Sequence, residues 1–266
     1  MGYFLVKWSF WLKVWRNFSQ KDGVTQASSF SFTVLLSFIP FLLSITWIIK
    51  FIPLPHMYID KLEKSLFMHF LPTMGDFLYQ RFKFTLAHTH DLSWMGFGGM
   101  FITAYISLKS LEQYLNRIWQ VRQTRNIRSF LLIYVFFMLL GPLIMGVMVV
   151  LQLYAKVYAI YGLKIILSYL NYSIGILLFI LIYKVLPAAK VKLKHAILTG
   201  VIAGSFFEIA KRGFVIYISN FSVYNKLYGS LAAFPVFLLW VHICSLILFF
   251  CAQITYTLGE VDDKKN

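Results

Sequence analysis

The residues whose types and spacing could do chemistry are Ala196, Gly200, Gly204, Glu208 and Arg212, which step by four and so share one narrow face of a helix. The small residues let a neighbouring helix approach closely. The carboxylate and guanidinium at the other end stand one turn apart, with Lys211 at i+3 as a second basic partner. Ionisable groups in an apolar segment are costly to keep there. The pair therefore reads either as a structural ion pair or as a site that contacts a polar headgroup or a translocated ion. A second polar stripe, Ser29, Thr33, Ser37, Pro40 and Ser44, lies on an earlier apolar run. Pro40 removes a backbone hydrogen bond, and nearby hydroxyls can satisfy the freed carbonyl. In one reading this stripe packs helices; in the other it lines, with the Glu208 face, a polar and partly hydrated groove.

Other polar residues carry less. His88, His90 and Asp91 lack a full ligand set, so no metal is expected. Gln152, His242 and Gln253 stand singly in apolar runs and should bond a neighbouring helix. Cys244 and Cys251, seven residues apart on one helix, lie about 10 Å from each other along its axis, too far for a disulfide. No nucleotide-binding loop, nucleophile elbow or zinc-protease spacing occurs. A ribonuclease would need clustered acids or paired histidines. The 10 acids are scattered, and the adjacent Asp262 and Asp263 are expected in a solvated tail. Neither an enzymatic activity nor a cofactor is expected.

The elements that must position these groups are membrane helices. The 266 residues are 59% hydrophobic and 13% charged, whereas soluble domains carry about 25% charged residues. With 27 Phe, 16 Tyr, 7 Trp and 2 Cys, the chain is neither disordered nor disulfide-stapled. A helix crosses a bilayer with about 20 apolar residues. The charge-free runs predict an all-α, six-span bundle in a single domain 1–266, with spans near 28–52, 92–110, 130–155, 165–186, 195–218 and 230–258. The fifth is long enough only if it continues past Glu208, Lys211 and Arg212.

An even number of spans puts both termini on one side. Lys7, Lys13, Arg16 and Lys21, then Lys109, Arg117, Arg122, Arg125 and Arg128, then Lys184, Lys190, Lys192 and Lys194 outnumber the basic residues of the opposite side. Both termini should thus be cytoplasmic. The formal charge of +15 then reflects topology and attraction to anionic headgroups, and no specific nucleic acid is needed to explain it. Membrane lipids are the expected partners, with an envelope protein or a second copy of the chain left open.

No cleavable signal peptide is expected. Within residues 1–22, Phe4, Leu5, Trp8, Trp11, Leu12, Trp15 and Phe18 fill one helical face, with Lys7, Lys13, Arg16, Asn17 and Gln20 on the rest. This helix either lies in the cytoplasmic interface or folds onto the base of the bundle, and both readings use the same face. Pro53 to Asp91 is expected to be an external loop with short amphipathic helices. Leu111, Leu115 and Ile118 should carry the second span into the cytosol as a basic helix.

A resemblance now attaches to particular residues. Leu186-Pro187, Lys194-His195-Ala196, Phe207 to Arg212, Tyr217 to Ser222, Tyr224-Asn225, Leu227 to Ala233 and Leu239-Trp240 resemble the YihY/virulence factor BrkB family of bacterial inner-membrane proteins, historically labelled ribonuclease BN. Ala27 to Pro40 is similar to the family's first span, and Leu111-Glu112 with Leu115 to Trp119 to its cytoplasmic loop. The family usually has a small residue at the position of Cys251 and often an acid at that of Gln253. The resemblance implies six transmembrane helices in the bacterial inner membrane, and one branch is named for resistance to serum killing. The ribonuclease label conflicts with the missing acid cluster. The expected function is a non-enzymatic one, assisting transport of lipids or other amphiphiles, with Glu208, Lys211 and Arg212 orienting a headgroup and Thr33, Ser37 and Pro40 lining its path. Alternatives are an envelope-complex scaffold acting through residues 53–91, or the membrane-bound tRNA-processing ribonuclease of the old label.

Overall fold

The computed structural model describes residues 8–50, 79–80, 83, 92–121, 125–126, 128–137, 161–220 and 233–263. These residues are helical with connecting turns and include no strand. The helices are α1 (Trp8–Gln20), α2 (Gly23–Lys50), α3 (Leu92–Ile118), α4 (Arg128–Phe137), α5 (Tyr161–Val185), α6 (Leu193–Asn220) and α7 (Ala233–Asp263). The expected loop from Pro53 to Asp91, His88, His90, Asp91 and Gln152 fall almost wholly outside the described residues, as do the side chains of Pro40 and Ser44.

Apolar composition makes these segments helical because a helix satisfies its own backbone groups. The hydroxyls within them do the same locally. Thr33, Ser37, Ser107, Ser205, Ser245 and Thr255 each donate to the carbonyl four residues earlier, at 2.7 to 3.0 Å. The helix ends have identifiable stops. Asp22 takes a φ of 53° between α1 and α2, a conformation Asp tolerates. At the end of α3, Gln120 takes a φ of 55°, its N–H bonds Arg117 O at 3.2 Å, and Val121 N–H reaches Asn116 O at 3.0 Å. That is a Schellman arrangement built without glycine.

Helix α7 is the centre. Its residues 251–255 are buried without a break, so protein surrounds the helix on every side there. The pair α2 and α3 packs on one flank and the pair α5 and α6 on the other, and α1 lies against α2 and α7. Gly200 and Gly204 set the α5–α6 spacing. A Cβ on Gly200 would lie 3.1 Å from Ile180 N, and one on Gly204 would lie 2.6 Å from Ile176 Cγ1.

Among the described residues one helix, Pro235–Asp263, is long and apolar enough to cross a membrane, with a mean hydropathy of 2.3 over its best window. Helices α2, α3, α5 and α6 run 28, 27, 25 and 28 residues over the first, second, fourth and fifth predicted spans. Of the third, α4 covers only the beginning. The last helix continues to Asp263, past the predicted end near 258, so Asp262 and Asp263 lie on a last helical turn and not in a tail, with Asp263 still 70% exposed. Lys192, just before α6, pairs with both acids, and Lys194, in the first turn of α6, pairs with Asp262.

The core is apolar, but polar side chains enter it and large apolar ones reach the surface. Glu112, Asn116, His195, Thr199, Ser245, Gln253, Thr255 and Thr257 are buried, while Phe32, Leu36, Ile102, Ile106, Leu132, Val201, Ile209 and Ile216 are exposed. Helix α1 packs on the bundle through a face other than the expected one, since Phe10 and Val14 are not part of the Trp8, Trp11, Leu12, Trp15 and Phe18 set. Phe10, Val14 and Phe18 are buried on the bundle, with Phe18 5.5 Å from the Phe250 ring, while Trp8 and Trp15 remain 76% and 60% exposed.

Candidate functional site

Three groups of polar residues sit on this frame. The first is Glu208 on α6, whose Oε2 lies 2.6 Å from Lys211 Nζ and whose Oε1 lies 3.5 Å from Arg212 Nε. The close approach of α5 is at Gly200 and Gly204, and Tyr172 of α5 meets Ser205 at 2.8 Å. Farther along α6, Glu208 is 28% exposed and Arg212 is 78% exposed, so the carboxylate alone is partly sheltered, and both of its basic partners come from its own helix. Ala196, at the other end of the ladder, is buried.

The second group is the hydroxyl stripe of α2, and its partner is α3. Ser37 Oγ lies 2.6 Å from Ser107 Oγ and donates to Thr103 O at 3.1 Å. Thr103, Ser107, Ser110, Tyr114 and Arg117 are spaced along one face of α3 by steps of four and three, so two polar stripes meet edge to edge. The groove expected between this stripe and the Glu208 face does not form as such. Helix α7 packs against both α2 and α6 and stands between them. Toward the start of α2 the seam widens into a cleft of about 130 Å³, where Gln26, Ser29 and Thr33 face Ser110, Gln113 and Arg117. The α3 half of this site escaped sequence reasoning, which followed ionisable groups; the four-and-three spacing of hydroxyls was the available signal.

The third group closes the base of the bundle. Asp262 Oδ2 accepts from Lys194 at 2.7 Å and Lys192 at 3.0 Å, and Lys192 also reaches Asp263 at 2.8 Å. Hydrogen bonds from Lys194 and then Lys192 hold the Asp262 carboxyl down at about 2. Lys13 of α1 pairs with Glu260 at 2.9 Å. Lys21 donates to Ile118 O at 2.7 Å and stands 4.2 Å above the Tyr256 ring. Arg125 donates to Val185 O and Pro187 O, both at 2.9 Å, at the end of α5. Two cations that read as markers of topology, Lys21 and Arg125, thus cap helix C-termini, where carbonyls lack partners and the dipole favours positive charge.

Of the residues that stood singly in sequence, Gln253 bonds within its own helix and not to a neighbouring one. Gln253 is buried, its Nε2 reaches Thr257 Oγ1 at 3.4 Å, and its Oε1 has no partner among the described residues. Cys251 and Cys244 are free thiols. Among the described residues no three His, Cys, Asp or Glu side chains gather as metal ligands.

Comparisons with known proteins converge on one family. The family described as Virulence factor BrkB matches residues 14–266. A UPF0761 membrane protein of Aeromonas salmonicida is 28% identical over 94% of this chain and 88% of its own length. One from Alteromonas mediterranea is 30% identical over 93% and 87%. One from Haemophilus influenzae is 29% identical over 96% and 97%. No solved structure matches the chain. With all but the first 13 residues aligned to a single family pattern, the chain belongs to the Virulence factor BrkB family.

Proposed function

We propose that this chain is a six-span protein of the bacterial inner membrane, with both termini cytoplasmic, that assists the movement of lipids or other amphiphiles and catalyses no reaction. The observation that carries the reading is the seam between α2 and α3, where Ser37 meets Ser107 and Thr103 inside a bundle whose outer surface is apolar. A polar track beside a lipid-facing surface suits a molecule with a polar head and apolar tails, because each part finds a matching environment. The exposed Phe, Ile and Leu side chains support the membrane assignment, as does the description of the relatives as membrane proteins. Glu208, Lys211 and Arg212 form a second polar patch at which a headgroup would be oriented.

Headgroup-resolved lipid flip-flop in liposomes holding the purified protein tests this. The expected result is a faster exchange than in empty liposomes, slowed by Ser107→Leu and by Glu208→Ala. No acceleration over empty liposomes would remove the transport reading and leave a scaffold. Wild-type rates in either variant would remove that residue from the path.

A further inference from the structure

The cleft at the wide end of the α2–α3 seam has a composition that selects a ligand. Of its six facing polar residues, Gln26, Ser29, Thr33, Ser110, Gln113 and Arg117, one is charged and none is acidic. Its volume of about 130 Å³ is well above the ~10–15 Å³ that admits a single water. Among the described residues the side chains of Gln26, Gln113 and Arg117 make no hydrogen bond or ion pair to protein, and those of Gln113 and Arg117 are open to solvent. Arg117 offers a planar fork of N–H groups, the geometry that binds two oxygens of one phosphate at once.

The inner wall supplies an independent observation. Tyr114 lines the cleft and is only 3% exposed, and its buried hydroxyl has no hydrogen-bond partner among the described residues. The hydroxyl lies beneath the cleft wall, where solvent does not reach it, and a buried donor without an acceptor is costly. Burial first, and then Asp22, push the Tyr114 hydroxyl up to about 12 against the pull of Arg117, so it stays a neutral donor. Asp22 itself lies at the turn between α1 and α2 and does not line the cleft.

The surroundings decide between a free anion and a lipid. Phe30, Phe249 and Tyr114 form an aromatic floor, with Tyr114 and Phe249 rings 4.0 Å apart and Phe30 and Phe249 5.5 Å apart. Farther along the same helices, exposed Phe32 and Leu36 on α2 and Ile102 and Ile106 on α3 continue outward from the cleft as an apolar flank. A phosphate seated by Arg117 would leave acyl chains lying along that flank.

We infer that this cleft is a binding site for the phosphate of an anionic phospholipid from the leaflet nearest the start of α2. The inference rests on the membrane assignment above and specifies the ligand of its polar seam. The test is equilibrium binding of dihexanoyl phosphatidylglycerol to the full-length protein in a zwitterionic detergent, read by native mass spectrometry. Inorganic phosphate and dihexanoyl phosphatidylcholine are titrated in parallel. Phosphatidylglycerol should bind, Arg117→Gln should weaken it about tenfold, and Arg117→Lys should restore part of the loss. Ser29→Phe, which fills the cleft from an exposed position, should weaken it to a similar degree. Wild-type binding in both Arg117→Gln and Ser29→Phe overturns the site. Inorganic phosphate or phosphatidylcholine binding as tightly as phosphatidylglycerol overturns the anionic lipid as its ligand. Arg117-dependent lipid binding without accelerated flip-flop would overturn the transport reading alone, and flip-flop with binding indifferent to Arg117 and Ser29 would overturn the cleft alone.

Discussion

Lys21 Nζ donates a 2.7 Å hydrogen bond to the carbonyl of Ile118, tying the turn after α1 to the last residue of α3 across 97 positions of sequence. The bond closes a helix end that would otherwise leave a carbonyl unpaired beside the Tyr256 ring. Lys21→Met keeps the aliphatic stem and removes the donor. It should cost about 1 to 2 kcal/mol, read as a lower midpoint of thermal unfolding in detergent. An unchanged midpoint would show that water caps Ile118 equally well.

The α5–α6 contact predicts opposite outcomes for two glycines of one helix. Gly200→Ala sets a methyl 3.1 Å from Ile180 N and against the Ile180 side chain, which should destabilise by about 1 to 3 kcal/mol. Gly213→Ala meets no atom within 4 Å and should be neutral or stabilising by up to about 1 kcal/mol. Unfolding of the two variants side by side checks the geometry, and equal effects would contradict it.

Helix α1 should separate into an inward and an outward half. Phe18→Ala removes a buried ring at the Phe250 contact and should cost about 3 kcal/mol. Trp8→Ala and Trp15→Ala should leave the stability in detergent nearly unchanged, because both rings are exposed. In liposomes the same two substitutions should remove most of the tryptophan quenching by brominated lipids that arises from α1. Loss of stability from Trp15→Ala equal to that from Phe18→Ala would place the outer face against protein.

Acid should loosen the base of the bundle through Asp262. Its carboxyl is held at about 2 in the folded chain against 3.8 for the free group, so the folded state binds fewer protons than the unfolded one between these values. The contribution is therefore complete above about pH 4 and is lost as pH falls toward 2. Unfolding followed from pH 6 to 2 should show this limb in the wild type and a flatter one in Asp262→Asn. High salt should also weaken it, since Lys192 and Lys194 are partly exposed.

The legible part of the structure was whatever one helix decides by itself. Hydropathy runs located the helices, the four-residue spacing of Ala196, Gly200 and Gly204 identified a close-packing face, and Glu208 found its bases at i+3 and i+4, because all of these are set by spacing along a single chain segment. Sequence likewise carried the family, whose pattern runs through nearly every helix. Which faces meet was decided only in three dimensions. The Ser29, Thr33 and Ser37 stripe turned to Thr103, Ser107 and Ser110, and away from Glu208, because α7 occupies the centre and separates α2 from α6. The basic residues around the loops were readable as a charge count, but Lys21, Arg125 and Lys192 acquired distinct partners, two carbonyl-lined helix ends and an acidic last turn, from chain segments remote in sequence. Local periodicity determines what a helix can present; only packing determines what it is presented to.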